Sequence, residues 1–243
     1  MSARGLTDLG LERSLLAEGF TGVIGVDEVG RGALAGPVSV GVAYFDLGSV
    51  TGAEVPAGIH DSKQLSALSR RAATNRVRSW AQAATVGSTS PSEIDQLGMT
   101  MALNLAGRRA LLTMLAELGV GEVYPEGTLV LLDGKHDWLS APLTLDCLGI
   151  FGPCAELELP KVRTVIKGDG SVPVIAAASI VAKVDRDEEM IALAEAHPHY
   201  GWESNVGYGT KAHRAGIAEF GPSIHHRRSF RLQAVEEAKE ESS

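Results

Sequence analysis

Short apolar runs and their periods divide the chain before any chemistry is considered. Val23-Ile24-Gly25-Val26 is an unbroken apolar run of strand length. Val38, Val40, Val42 and Tyr44 alternate with Ser39, Gly41 and Ala43, which predicts a second strand beyond a glycine-containing turn. Residues 46–60 are rich in Gly, Ser and Pro and read as a loop, after which Ala67 to Trp80 reads as a helix with Ser66 as its N-cap. A strand is predicted near Ala83 to Gly87. Ser90-Pro91-Ser92-Glu93 is a capping box with proline at the first helical position, and it opens a long helix from about Pro91 to Leu118.

Thr128 to Leu132 and Val162 to Ile166 are two further apolar strands, closed by Asp133-Gly134 and by Lys167-Gly168-Asp169-Gly170. Residues 135–160 mix Gly, Pro and scattered apolar side chains and predict no element. From Pro173 a run of small, helix-forming residues reaches Lys183, close-packing by composition. Beyond Ala196 the chain turns to Gly, Pro, His and aromatics, with a short helix predicted from Lys211 to Phe220 and another from Phe230. No internal repeat is visible.

The length, 243 residues, allows one well-buried domain with a small appendage. There is no run of about 18 apolar residues. The acids Asp8, Glu12 and Glu18 break the basic-then-apolar layout of a signal peptide, so a cytoplasmic protein with no membrane partner is expected. Cys147 and Cys154 form no C-x-x-C pair and have no nearby histidine cluster, and are expected to be free thiols.

The formal net charge of −8 is awkward for a protein that binds a polyanion. Its distribution is uneven. The tail 236–241 is acidic, whereas Lys211, Arg214, Arg227, Arg228 and Arg231 face the single acid Glu219 between residues 211 and 231. His197, His199, His213, His225 and His226 lie in the same last fifth of the chain. A solvated charged face is one reading of such a run; the interleaved glycines and aromatics favour a binding surface.

Candidate chemistry concentrates at Val26-Asp27-Glu28-Val29-Gly30-Arg31-Gly32, where two adjacent acids end an apolar run beside a flexible basic turn. The glycines permit close backbone approach and Arg31 offers a planar donor fork. Taken alone, an acidic pair is often solvated and Gly-x-Gly is often only a turn. Gly30 to Ala35 also fits the dinucleotide fingerprint G-x-G-x-x-A, but Gly36-Pro37 and a strand follow where that motif needs a helix.

Asp133 and Asp169 repeat the position of the first pair, each standing where an apolar run stops and glycine begins. Strand ends are where the loops of an open α/β sheet gather ligands, so three segments can bring Asp27, Glu28, Asp133 and Asp169 to one cleft. Asp-Gly is also a common turn dipeptide. Four carboxylates in one place need protons or cations to offset their repulsion, and hard oxygen donors suit two Mg²⁺ or Mn²⁺ ions. Such a pair, about 3.5–4 Å apart, can serve phosphodiester cleavage. Neighbours in a strand face opposite ways, so the glycine turn is expected to twist Asp27 and Glu28 toward one site, with Asp27 central. Asp187 is a rival fourth ligand, but an unbroken helix from Pro173 puts it on the order of 20 Å from the helix start near Asp169, and its spacing from Lys183 suits an ion pair.

Six motifs occur in order: Asp27-Glu28-x-Gly30-Arg31-Gly32, Asp61-Ser62-Lys63-x-Leu65-Ser66, Leu132-Asp133-Gly134, Lys167-Gly168-Asp169, Ala176 through Lys183, and Gly207-Tyr208-Gly209-Thr210. In this the chain resembles the bacterial ribonuclease HII family. The resemblance implies an α/β fold: an RNase H-like mixed sheet flanked by helices over residues 1–196, with a small helical substrate-binding appendage and acidic tail over 197–243. It implies a monomeric endoribonuclease that cuts the RNA strand of RNA-DNA hybrids and the 5′ side of single ribonucleotides in duplex DNA, leaving 5′-phosphate and 3′-hydroxyl ends.

By the same resemblance Asp27, Glu28, Asp133 and Asp169 are the metal ligands, Gly30, Arg31 and Gly32 read the ribose 2′-hydroxyl, and Tyr208 stacks on the adjoining deoxyribose. The 2′-hydroxyl is the group that separates RNA from DNA at a site. Lys63, Lys183 and Lys211 are candidate phosphate contacts. Gly30-Arg31-Gly32 and the lack of a leading substrate-binding domain favour this family over ribonuclease HIII, and no sliding-clamp peptide is evident. The connection between Asp133 and Asp169, which contains both cysteines, is longer than the family pattern leads one to expect. A non-cleaving nucleic-acid-binding protein of the same fold is the alternative.

Overall fold

Strands β1 (Gly22–Val29), β2 (Val38–Asp46), β3 (Ala83–Thr89), β4 (Thr128–Asp133) and β5 (Lys161–Val165) form one mixed sheet in the order β3-β2-β1-β4-β5. The first three pair antiparallel, and β4 and β5 run parallel to β1. The C-terminal ends of β1, β4 and β5 therefore lie side by side on one edge of the sheet, where the turn from β1 to β2 also lies. The computed structural model describes residues 8–59 and 67–232. The motif containing Lys63, the cap Ser66 and the acidic tail fall outside the described residues.

Helices α1 (Gly10–Ala17), α2 (Leu47–Val50), α3 (Ala67–Trp80), α4 (Pro91–Leu118), α5 (Leu148–Phe151), α6 (Pro173–Ala196), α7 (Trp202–Asn205) and α8 (Lys211–Phe220) complete the chain order. One sheet face, with Ile24, Val26, Val40, Val42, Val130 and Leu132, packs on α4 through Leu103, Ala106, Leu111 and Met114. The other, with Val23, Ala43, Phe45, Leu129 and Leu131, packs on α6 through Val174, Ala177, Ile180 and Val181. The alternation in β2 thus separates two buried faces of unequal side-chain size, not core from solvent.

The small residues of β1 and β2 set how close α6 lies. A Cβ on Gly25 would fall 2.0 Å from the Val174 carbonyl oxygen, and one on Gly41 would fall 2.2 Å from that of Ala178. The helix is clamped against the strands that carry the first acid pair. Its N-terminus is held from α1, where the buried Glu12 carboxylate accepts a hydrogen bond from Val174 N at 3.4 Å. Helix α1 is an element that the apolar pattern of the chain does not predict.

The capping box on α4 is formed in both directions between Ser90 and Glu93, and Arg109 reaches back to Glu93 at 2.6 Å. The predicted single long helix is interrupted at Gly98 (φ 71°, ψ 163°), a conformation that glycine tolerates and that breaks the hydrogen-bond ladder. Segment 135–160 is a chain of short turns fixed to α4 by side chains. Asn104 Nδ2 donates to the Leu139 carbonyl at 2.8 Å, and Arg108 Nη1 donates to those of Cys154 and Leu157 at 3.0 and 2.7 Å. Cys147 and Cys154 are free and buried beside Leu105 and Phe151.

Helix α6 runs unbroken for 24 residues. Its far end joins Leu34, Tyr200, Trp202 and Ile217 in a small core that seats α7 and α8 against the β1–β2 turn. The helix expected from Phe230 is absent over residues 230–232, where Arg214 Nη1 holds the Leu232 carbonyl, and its remainder lies outside the described residues. Among the described residues no helix is long and apolar enough to cross a membrane.

Candidate active site

β1 continues through both acids, with Asp27 paired to Gly41 and Glu28 to Val40. The expected twist at the glycine turn is therefore absent, and alternate strand positions place the two carboxylates on opposite faces at the sheet's end. Asp27 lies on the α6 face, only 7 % exposed, and accepts a hydrogen bond from the Ser179 side chain. Its Oδ1 also accepts from Glu28 N at 2.8 Å. Glu28 is half-buried on the α4 face, with Arg31 Nη1 3.4 Å from its Oε1.

Asp133 ends β4, and its Oδ1 accepts from Gly168 N at 2.6 Å and Asp169 N at 3.3 Å. One oxygen of Asp133 thereby organises the turn that delivers Asp169, in which Lys167 adopts a left-handed conformation (φ 57°). The sheet, not local sequence, brings these acids together, since β4 lies directly beside β1.

The four carboxylates share one field. Burial is the largest cause pushing the Asp27 carboxyl up to about 7; the Ser179 hydrogen bond opposes it, and the charges of Asp133, Glu28 and Asp169 raise it further. Burial also raises Glu28, opposed by Arg31 and reinforced by Asp133. A charged Asp27 is costly in this setting, so a hard cation would be favoured there. The donors, all carboxylate oxygens, fit Mg²⁺ or Mn²⁺. Among the described residues, no three acid, histidine or cysteine side chains already stand in coordinating geometry.

Next to the acids, the turn 30–37 is held from beneath by two buried guanidinium groups. Arg186 donates to the carbonyls of Pro37, Ala35 and Val206 at 2.8, 3.1 and 2.9 Å. Arg227 donates to those of Gly36, Arg31 and Pro37 at 3.0, 3.1 and 2.8 Å. Burial, then the neighbouring Arg186 charge, pushes Arg227 down to about 9, which leaves it charged at neutral pH. Gly30 has φ +81°, and a Cβ there would meet Arg186 Nε at 2.1 Å. Arg31 and Gly32 project to solvent.

The loop carrying Tyr208 is stitched to this turn, with Leu34 N donating to the Gly207 carbonyl at 2.8 Å. Tyr208 is 38 % exposed, and its ring lies over Arg186 with 5.7 Å from Cζ to the centroid. Arg31, Gly32 and Tyr208 thus lie exposed beside the acids, with Gly30 buried beneath them. Lys211 is exposed at the start of α8. Lys183 instead binds Asp187 at 2.5 Å, as the i,i+4 spacing predicts, so it meets phosphate only by leaving that pair.

Three features escaped the sequence. Ser179 was one position in a run of small residues. Arg186, between Asp185 and Asp187, had the appearance of a solvated charge. Arg227, His213 and His226 belonged to the stretch read as a charged or binding face, yet all three are at most 1 % exposed.

A family model described as ribonuclease HII matches residues 24–233. The chain is 43% identical over 221 residues to a ribonuclease HII of Streptomyces avermitilis, covering 90% of this chain and 82% of that protein. Among solved structures it superposes on the ribonuclease H2 of Pyrococcus horikoshii OT3 with a TM-score of 0.59 at 23% identity, covering 87% and 94% of the two chains. Bst ribonuclease HIII in complex with Mn²⁺ gives 0.61 at 21% identity, covering 87% of this chain and 67% of that one. At these identities both superpositions speak for the fold.

Proposed function

The chain belongs to the ribonuclease HII family, and on that premise we propose that it cuts RNA-DNA hybrids and the 5′ side of single ribonucleotides in duplex DNA with divalent ions held by Asp27, Glu28, Asp133 and Asp169. That it is a ribonuclease H acting on RNA-DNA hybrids follows from the membership itself. The observation that carries the finer reading is the burial of Asp27 within the field of Asp133, Glu28 and Asp169, on three adjacent strand ends. That Bst ribonuclease HIII, a protein of the same fold, forms a complex with Mn²⁺ supports a divalent ion in this reading.

When bound, a pair of such ions supplies a positioned water and charge to stabilise the leaving oxygen. The protein supplies the rest. Ser179 and Glu28 N orient the Asp27 carboxylate, and Asp133 holds the turn that presents Asp169. The turn Gly30-Arg31-Gly32, exposed at Arg31 and Gly32, is the reader of the 2′-hydroxyl, and Tyr208 stacks on the adjoining deoxyribose. Residues 197–243 serve as the substrate-binding appendage, with Lys211 at a phosphate. Lys63 is retained as a phosphate contact on the motif alone. The protein acts as a cytoplasmic monomer.

The test is incubation of the pure protein with a duplex bearing one ribonucleotide, in Mg²⁺, Mn²⁺ or EDTA. A metal-dependent nick 5′ to the ribonucleotide is expected, with Asp27→Asn and Asp133→Asn inactive but still binding DNA. Near-normal turnover in those variants overturns the ligand assignment. Binding without any nick favours the non-cleaving alternative.

A further inference from the structure

Behind Tyr208 lies a buried polar chain that the acid cluster does not use. His213, on the first turn of α8, and His226 are 0 and 1 % exposed. Their proton positions follow from neighbours that can only donate. Trp202 Nε1–H donates to His213 Nε2 at 3.0 Å, and the Ser223 backbone N–H donates to His226 Nδ1 at 2.9 Å. Neither of those ring nitrogens carries a hydrogen.

Each neutral ring then keeps its proton on the other nitrogen. His226 Nε2–H donates to His213 Nε2 at 3.1 Å, which accepts it together with the indole in a three-centre bond. His213 Nδ1–H donates to the carbonyl oxygen of Tyr208 at 3.0 Å. The opposite tautomer of His213 would set N–H against N–H at Nε2 and leave Nδ1 facing a carbonyl with no proton between them. One tautomer pair satisfies the whole run from Ser223 to Tyr208.

The end of this run is where geometry matters for substrate. The Tyr208 carbonyl accepts from Thr210 N at 2.7 Å as well as from His213, and Tyr208 N donates to Asn205 O at 2.9 Å. Thr210 Oγ1 accepts in turn from His213 N at 3.3 Å. Both peptide groups flanking Tyr208 are therefore fixed, while its ring stays 38 % exposed. These bonds set the direction in which the side chain leaves the backbone, and among the described residues the histidine supplies a side-chain bond to that carbonyl.

We propose that His213, with its tautomer fixed by His226 and Trp202, is a positioning residue that sets the angle of the Tyr208 ring and so governs recognition of a ribonucleotide junction. This rests on Tyr208 being the sugar contact. A long RNA-DNA hybrid offers many registers and depends less on one sugar platform than a single embedded ribonucleotide does.

The experiment compares kcat and KM of the full chain on a long hybrid and on a duplex with one ribonucleotide. His213→Leu removes the donor to Tyr208. His213→Asn keeps an amide N–H near the Nδ1 position. His213→Leu is expected to lose at least about tenfold more kcat/KM on the single ribonucleotide than on the hybrid, since small misplacements of a positioning group carry losses of that order. His213→Asn is expected to recover most of it. Equal losses on both substrates, or no rescue by Asn, overturn the inference. Where His213→Leu does not fold, His213→Phe, which keeps a ring in the site but offers no donor to the Tyr208 carbonyl, is read by the same ratio. Tyr208→Ala separates the two levels. Unchanged single-ribonucleotide cutting there removes the sugar-contact reading and the inference with it. Loss there, with His213→Leu intact, removes the inference alone.

Discussion

Arg186 joins the two loops of the site, because its guanidinium lies 5.7 Å from the ring centroid of Tyr208 while donating to the Pro37 and Ala35 carbonyls of the turn after Gly30. The group is fully buried. A buried charge that spends its donors on carbonyls of separate segments ties those segments into one unit, and any displacement of it is felt by both.

Gly30→Ala tests that coupling. The added methyl group meets Arg186 Nε at 2.1 Å, and the residue must hold φ +81°. The strain alone is worth about 1–3 kcal/mol. A lower thermal midpoint is expected together with a loss of cleavage on single ribonucleotides, from a change that touches no acid. A midpoint and activity equal to wild type would show that Arg186 yields freely and couples nothing.

Arg227→Met is predicted to be the more damaging change to stability. The buried Gly36 carbonyl and the partly buried Arg31 carbonyl lose their donor, and that of Pro37 is left with Arg186 Nε alone. At about 1–3 kcal/mol for each group left unsatisfied, a total loss of at least about 2 kcal/mol is expected in urea unfolding. A loss under about 1 kcal/mol would mean the turn finds other partners.

What the sequence made legible was local. The Ser90–Glu93 capping box, the α6 start at Pro173 and the Lys183–Asp187 pair all depend on residues within one helical turn, and all are present. The placement of Asp27, Glu28, Asp133 and Asp169 on one sheet edge was legible because each follows an apolar run, and parallel neighbours end together. The twist expected at Glu28 did not occur, because strand pairing with β2 carries on to Val29. Arg186, Arg227 and the histidines were illegible for another reason. The arginines' partners lie up to 196 residues away. The histidines' partners lie within 13 residues, but the rings are enclosed only when α8 packs on the small core around Trp202, so only the folded chain shows that these polar side chains are internal.

Acid sensitivity should come partly from His226. Burial is the largest cause holding its imidazole down to about 4, below the ordinary 6.5, with the neighbouring His213 charge acting the same way. Between pH 6.5 and 4 the unfolded chain takes up a proton that the native ring refuses, so stability falls as pH drops through that window and this contribution levels off below it. Asp27 acts in the opposite sense without metal: its folded value of about 7 lies above 3.8, so its contribution declines as pH rises through that interval. Urea midpoints of wild type and His226→Gln between pH 7 and 4 isolate the histidine. The variant should show the shallower decline, and parallel profiles would refute the assignment.

The acid cluster predicts a variant that is inactive and more stable. In EDTA at pH 8, above both values for Asp27, the native state carries the full cost of a buried carboxylate among Asp133, Glu28 and Asp169. Asparagine removes the charge, and its amide oxygen still accepts from Glu28 N and Ser179. Asp27→Asn should therefore unfold at higher urea than wild type, by about 1–3 kcal/mol, less than the full shift because the amide packs and bonds less well. Adding Mg²⁺ should stabilise the wild type, since a ligand that binds only the native state adds its binding free energy, and should narrow or reverse the gap. Cleavage is lost in the variant under both conditions. If Asp27→Asn were less stable than wild type in EDTA, the cost attributed to burying a charged Asp27 among these carboxylates would not exist, and the case for cations there would lose its physical basis.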